Sequence, residues 1–435
     1  MRILFLAAVV CLIAFPGLAK ADWTIIHAGE LLAVPGTPPQ KQASVIIKDG
    51  TIQGVRSGFI SAGDIDSGDE AVNIIDLSDK FVLPGLIDSH VHLTGDFDTP
   101  RLKGLLMSDE YRTLVGYKNA AITLRAGFTT VADLGSGPYT AFALRDAIRD
   151  GVIEGPRIIA GGASISVTGG HADRTNSLPD KWWFHRADDN IGQCDGADDC
   201  RRRVRVNAKR GADIIKITAT GGVMSQQGRG LDQHFTHEEM VAIVETAHLL
   251  GLKVTAHAHG TEGIKAAIRA GIDSIEHSSL IDREGSRMAK KAGTYLIPTL
   301  MAPYGAELAR QAGLLSPTVI EKFDAVMAEK AESYPYMFAD GINIAFGTDA
   351  GVYEHGLNGK EFARMMEASG MSAMDAIKTA TINAATHFGV LDNRGTVEAG
   401  KHADIVAVDR SPLEDITQLE SVAFVMKGGK VIDLD

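Results

Sequence analysis

The chain has 435 residues, 45% of them hydrophobic, a formal net charge of −12 and three cysteines. That length exceeds one ordinary small domain and suits a large α/β barrel with an accessory domain. The acidic balance, without a basic cluster or a basic stripe interleaved with aromatics, argues against nucleic acid as a partner and points to a small molecule or dipeptide.

In chain order, residues 1–21 have the layout of a signal peptide. Arg2 gives the positive start, Ile3 to Phe15 the apolar stretch, and Ala19-Lys20-Ala21 the small-x-small cleavage site. The apolar run falls short of the ~20 residues a spanning helix needs. A periplasmic or secreted protein beginning near Asp22, with no stable membrane span, is the expectation. Signal removal leaves Cys194 and Cys200, and oxidising surroundings favour a local disulfide closing a polar Asp/Gly-rich loop; two free thiols are the alternative.

Residues 22–83 carry short β-rich runs such as Trp23 to Ile26 and Ser44 to Ile47, punctuated by turns such as Asp49-Gly50. Residues 390–435 have the same character at Ala403 to Val408 and Phe424 to Ile432. Both termini are therefore expected to build one small β-sandwich domain. Between them, over residues 84–389, eight apolar runs alternate with helical patterns. They are Leu86 to His90, Thr129 to Asp133, Arg157 to Ala160, Asp213 to Thr218, Lys253 to His257, Ser274 to His277, Tyr295 to Pro298 and Asn343 to Gly347. That alternation predicts a (β/α)8 TIM barrel. Thr236 is the candidate N-cap of a helix reaching Leu250. Gly161 to Cys200 and Ala302 to Gly341 read as long loops over the barrel mouth, where substrate access is shaped.

Barrel chemistry sits at the C-terminal ends of strands, and there the sequence sets His90, His92, Lys216, His257, His277 and Asp349. His90 and His92, two residues apart on a strand, face one side and form half of a metal site. Each residue alone has an ordinary explanation as a hydrogen-bonded neighbour of the core. Their joint register at strand ends argues for a shared site, since neutral imidazole and carboxylate are good zinc donors. Lys216 closes the apolar run Ile214-Ile215, where an ammonium is awkward unless its charge is altered or paired.

An ordered set of motifs resembles the amidohydrolase superfamily. They are Pro84-Gly85-Leu86-Ile87-Asp88-Ser89-His90-Val91-His92, Gly211-Ala212-Asp213-Ile214-Ile215-Lys216, Val254-Thr255-Ala256-His257-Ala258-His259-Gly260, Ile275-Glu276-His277, Gly347-Thr348-Asp349-Ala350, and the segment from Gly395 to Asp404. Within that superfamily the chain is similar to exported metallo-dipeptidases, a group that also resembles imidazolonepropionases and ochratoxin-hydrolysing amidohydrolases. The resemblance implies two zinc ions bridged by a carboxylated Lys216 and a hydroxide. His90, His92 and Asp349 would hold the more buried ion, and His257 and His277 the more exposed one.

The same resemblance implies hydrolysis of the amide bond of dipeptides or N-acyl amino acids next to a free C-terminal carboxylate. The hydroxide would attack and Asp349 would carry the proton to the departing amine. His171, in Thr168-Gly169-Gly170-His171, would hold the substrate carboxylate. His259, on the same side of its strand as His257, is either a substrate contact or a replacement ligand. Arg229 and Tyr353 are further substrate-binding candidates. Related barrels commonly self-associate, so a homo-oligomer is possible. Competing readings are a broader amidase or lactonase, including ochratoxin-type amides, and an imidazolonepropionase-like hydrolase of cyclic amides, against which Lys216 counts. An exported metal-binding protein without turnover is the non-enzymatic reading.

Overall fold

A computed structural model describes residues 23–99, 101–176, 178–179, 192–225 and 230–435. The expected signal peptide and Arg229 lie outside the described residues. The chain opens with β1 (Trp23–Leu31), β2 (Gln40–Lys48), β3 (Thr51–Ser57) and β4 (Val72–Pro84). There follow β5 (Leu86–Val91), β6 (Phe128–Asp133), β7 (Arg157–Ala160), β8 (Ile214–Thr218), β9 (Lys253–Ala258), β10 (Ser274–His277), β11 (Tyr295–Ile297) and β12 (Asn343–Ile344). Last come β13 (Ile405–Val408), β14 (Phe424–Lys427) and β15 (Lys430–Val431).

The two terminal segments meet in one seven-stranded mixed sheet, ordered β15-β14-β13-β4-β1-β2-β3. Its joint is the antiparallel pairing of β13 with β4, with Ile405 opposite Pro84 and Val408 opposite Phe81. Period-two alternation gives this joint two buried faces. Val82, Ile405 and Ala407 pack with Ile26, Ala28, Val45 and Ile47, whereas Phe81, Leu83, Val406 and Val408 join the large core of the rest of the molecule. The two ends of that sheet also approach one another, since Ile52 N donates to Lys401 O (2.9 Å) and Ala403 N to Gly50 O (2.8 Å), around a shared core that includes Val45, Ile52, Ile405 and Met426. Asp404 ties the sheet to the neighbouring strands, since its carboxylate pairs with Arg157 and its carbonyl accepts from Gly85 N at 2.9 Å.

Strands β5 to β12 are parallel and follow one another in chain order, in two arcs, β5-β6-β7 and β8 through β12. Every residue of β5, β6 and β8 is buried, as expected where helices cover both faces of a parallel sheet. The arcs touch at isolated parallel bridges, Ile165 to Ile217 and Val91 to Ala350. The architecture is thus mixed α/β, and the expected barrel appears as two arcs without a continuous closed ladder. The regular ladder of the eighth run ends at Ile344; beyond it Ala345 N still donates to Leu296 O (3.2 Å) and Phe346 O accepts from Ser89 N of β5 (2.8 Å), while Phe346 N turns to Thr379 O (3.1 Å).

The segment from Ala302 to Gly341, read as a loop, holds two helices, Ala302–Gln311 and Pro317–Met337. The second starts where Ser316 Oγ accepts from Val319 N and where Pro317 stands at a position whose N–H has no intrahelical partner. Its buried residues include Val319, Phe323, Val326, Lys330 and Met337, a helical face rather than a loop pattern. Thr236 does cap the helix His237–Leu249: its hydroxyl accepts from Glu239 N, and Glu239 answers by accepting from Thr236 N at 2.8 Å. Cys194 and Cys200 form a disulfide with Cα atoms 4.9 Å apart, tying the loop to the first turn of the helix Ala197–Arg210. No helix among the described residues is long and apolar enough to cross a membrane.

Candidate metal centre

The C-terminal ends of β5, β8, β9 and β10, with the segment after β12, converge on one cavity of about 600 Å³. His90, His92, His171, Lys216, His257, His259, His277 and Asp349 all line it. Strand geometry explains the convergence, since His90 and His92 share a face of the β5 end and His257 and His259 share one at the end of β9. Gly347 lets the segment after β12 lie against β5. A side chain there would meet Ile297 Cγ2 at 2.4 Å and His90 N at 3.2 Å.

His90, His92, His257, His259 and His277 are each steered by a partner on one ring nitrogen, leaving the other for the cavity. His90 Nδ1 donates to Glu276 Oε2 (2.7 Å) and His92 Nδ1 to the carbonyl of Gly135 (3.0 Å). Both acceptors hold a proton on Nδ1 and turn Nε2 to the cavity. Burial would lower His92, but Asp349, with Asp133, raises it above the usual imidazole range. The two Nε2 atoms are 3.3 Å apart and lie 3.4 and 3.1 Å from Asp349 Oδ1. Three such donor atoms this close can be shared by a proton on His92 or by a cation among them. His277 Nδ1 meets Thr299 Oγ1 at 2.7 Å, His259 Nδ1 meets Ser279 Oγ at 2.8 Å, and His257 Nε2 points to Gly221 O at 3.4 Å. The ligand atoms of His257, His259 and His277 lie within 4.8 Å of one another, as do those of His90, His277 and Asp349.

Burial holds His90, His257, His259 and His277 well below the usual imidazole range, with neighbouring imidazoles and Lys216 adding to the effect. Neutral imidazole is the ligand form. Burial alone would raise Asp349, but His90, His92 and Lys216 outweigh it, so its carboxyl lies below the usual carboxylate range. Lys216 is 3% exposed, and its Nζ has no hydrogen-bond partner among the described residues. Burial lowers its pKa, with Glu276 and Asp349 opposing. An ammonium in that position is uncompensated. A carbamate on the same nitrogen would instead offer two anionic oxygens to cations held by the surrounding imidazoles, so the donor set fits a metal pair.

Two buried acids that the sequence reading gave no role support this centre. Glu276, fully buried, anchors His90 and also accepts from Thr255 Oγ1; burial pushes its carboxyl up to about 7. Its signal was a charged residue inside a short buried strand, which requires a partner. Asp88 accepts from His90 N, Thr348 N, Thr348 Oγ1 and Asn358 Nδ2, stitching β5 to the segment bearing Asp349. Backbone strain gathers here too: His277, Ser278, Thr299 and Asp349 all have positive φ, from 47° to 71°.

The remaining candidates divide. His171 stacks on His257 with ring centroids 4.2 Å apart, and its seat requires Gly222, where a Cβ would meet the imidazole at 2.3 Å. Burial, helped by Lys322 and Lys216, pushes its pKa down to about 3. Tyr353 is corrected: it is fully buried beside Tyr304, behind the cavity wall. The chain turns after Asp349 through Gly351 (φ 116°), which brings Val352 to the cavity and returns Tyr353 to the core.

A sequence profile of the amidohydrolase family matches residues 81–432. The fold is similar to a crystal structure of a Xaa-Pro dipeptidase with bound methionine in the active site, at TM-score 0.85 and 39% identity, covering 94% of this chain and 99% of that one. A prolidase complexed with N-methylphosphonate-L-proline superposes at TM-score 0.84 and 27% identity, covering 94% and 99%. Ochratoxinase of Aspergillus niger is 32% identical over 95% of this chain and 87% of its own length.

Proposed function

From the chain's membership of the amidohydrolase family, we propose that this hydrolase uses two zinc ions to cleave dipeptides or N-acyl amino acids at the amide bond next to a free carboxylate. The observation that carries the reading is Lys216, deeply buried with an orphaned Nζ amid imidazoles and Asp349 at the cavity. Support comes from the relatives named above, a Xaa-Pro dipeptidase and a prolidase among them. We assign His90, His92 and Asp349 to one ion and His257 and His277 to the other, with His259 beside the second. Lys216 would bridge them after its amine adds carbon dioxide, forming an N–C bond and releasing a proton. The 84–389 segment would be the catalytic domain and residues 22–83 with 390–435 the accessory one.

When bound, zinc supplies Lewis acidity that polarises the substrate carbonyl and makes water acidic enough to ionise near neutral pH. The chain's own part is proton traffic and orientation. Asp349 takes a proton from the attacking water as oxygen bonds to the carbonyl carbon. It then returns that proton to nitrogen as the C–N bond breaks, releasing an amine and a carboxylate. Glu276 keeps the His90 ring turned so that Nε2 faces the cavity. Glu276→Gln is therefore expected to weaken zinc retention about 10–100-fold, measured by competition with a chelator; unchanged retention would remove this orienting role.

The test of the whole reading is a screen of zinc-loaded protein against dipeptides and N-acyl amino acids, paired with their C-terminal carboxamides. Preferential cleavage of the free acids is expected, and a fully metallated protein that cleaves none of them would reject it. Hydrolysis of ochratoxin-type amides is the second reading, favoured by the Aspergillus niger relative. Export is part of the proposal and rests on the first 21 residues; an intact Met1 on protein recovered from cells would remove it.

A further inference from the structure

The cavity wall opposite the strand ends includes one face of the helix Pro317–Met337. Phe323, Val326, Met327 and Lys330 all line the cavity, at the i, i+3, i+4, i+7 spacing of a single helical stripe. Three of them are apolar and the fourth is a cation. Lys330 is 3% exposed, yet no hydrogen bond or ion pair joins it to any described residue. The carboxylates whose fields reach it are Glu361 and Asp349. Both are engaged elsewhere: Glu361 accepts from Leu300 N and Met301 N, each at 2.7 Å, and Asp349 faces His90 and His92. An ammonium that borders the cavity and has no acceptor among the described residues is compensated when an anion enters.

We propose that Lys330 anchors the carboxylate of the substrate, and that Phe323, Val326 and Met327 beside it receive an apolar side chain on the same amino acid. The proposal rests on the hydrolase reading above and deepens it by naming the specificity-determining residue and the substrate class. The helical stripe explains the pairing of the two features. A C-terminal hydrophobic residue carries its carboxylate and its side chain on one carbon, so a cation and an apolar surface must be adjacent to hold both. Burial lowers the lysine to about 8, which leaves it mostly charged at neutral pH.

The experiment compares wild type, Lys330→Met and Lys330→Arg, all loaded with zinc, on glycyl-L-leucine and glycyl-L-leucinamide, with binding of L-leucine followed by calorimetry. Lys330→Met is expected to raise KM for glycyl-L-leucine about 10–100-fold with kcat nearly kept, and to weaken L-leucine binding by a similar factor. The carboxamide should change by less than about twofold, zinc content should be unaltered, and Lys330→Arg should retain most of the affinity. Equal effects on acid and amide, or no effect on either, would overturn the assignment. A wild type that binds L-leucine through Lys330 but cleaves neither peptide would instead sink the hydrolase reading and leave the anchor standing.

Discussion

Asp349→Asn is expected to lower kcat by about 10²–10⁴-fold while the protein keeps its fold. Asparagine is the right probe because Asp349 has φ 65°, a conformation that asparagine tolerates better than other non-glycine residues. The backbone bond from Asp349 N to His90 O (2.7 Å) should survive the change. What is lost is a charge and a proton acceptor. The carboxylate now sits 3.1 Å from His92 Nε2 and 3.4 Å from His90 Nε2, and a neutral amide can neither take a proton from water nor deliver one to the amine. Steady-state rates, read beside zinc content and thermal unfolding, check this. A variant with wild-type kcat would discard the proton-carrier role.

Lys216→Ala should remove zinc and activity together, with turnover falling at least about 100-fold, beyond the 10–100-fold typical of losing a supporting group. Acetate or another small carboxylate should restore part of the rate, because truncation opens space for two anionic oxygens where the lysine ended. The stability result separates this from a structural lysine. Nζ is buried without a partner among the described residues, so in metal-free protein Lys216→Met exchanges an uncompensated polar group for an apolar one of similar length and should leave the unfolding midpoint unchanged or higher. Full activity with two bound metals in Lys216→Ala would eliminate the bridge, and a marked loss of stability in metal-free Lys216→Met relative to metal-free wild type would assign the lysine to the scaffold.

Much of the strand order was legible because strands covered on both faces leave uninterrupted apolar runs, and β5 to β11 fall within a residue or two of those runs. The last run was over-extended since nothing in Ala345 to Gly347 announces that Phe346 N will bond to Thr379 O. Likewise, the alternation at both termini foretold their meeting, while the partner of each strand depends on pairings far apart in sequence. Strand-end side chains were readable through period-two geometry and the ordered motifs. Glu276 was quoted within a motif yet given no role, because its partner His90 is 186 positions away. Lys330 was hidden by reading its helix as a loop, although Phe323, Val326 and Met327 carry the helical period. Tyr353 was misplaced since the direction of the chain after a left-handed Asp349 is not encoded in spacing.

The joint between β4 and β13 bears on how the molecule matures. Strand β4 runs into β5, the carrier of His90 and His92, across Pro84 and Gly85, while its open edge is closed by a strand from the far end of the sequence. Contacts of such separation form late and slowly. A nascent chain, or one being threaded through a pore, keeps that edge exposed and its histidine-bearing strand unclamped. The β4 edge therefore gains its partner only once Ile405 to Val408 are available, and until then it is an unpaired edge open to other strands.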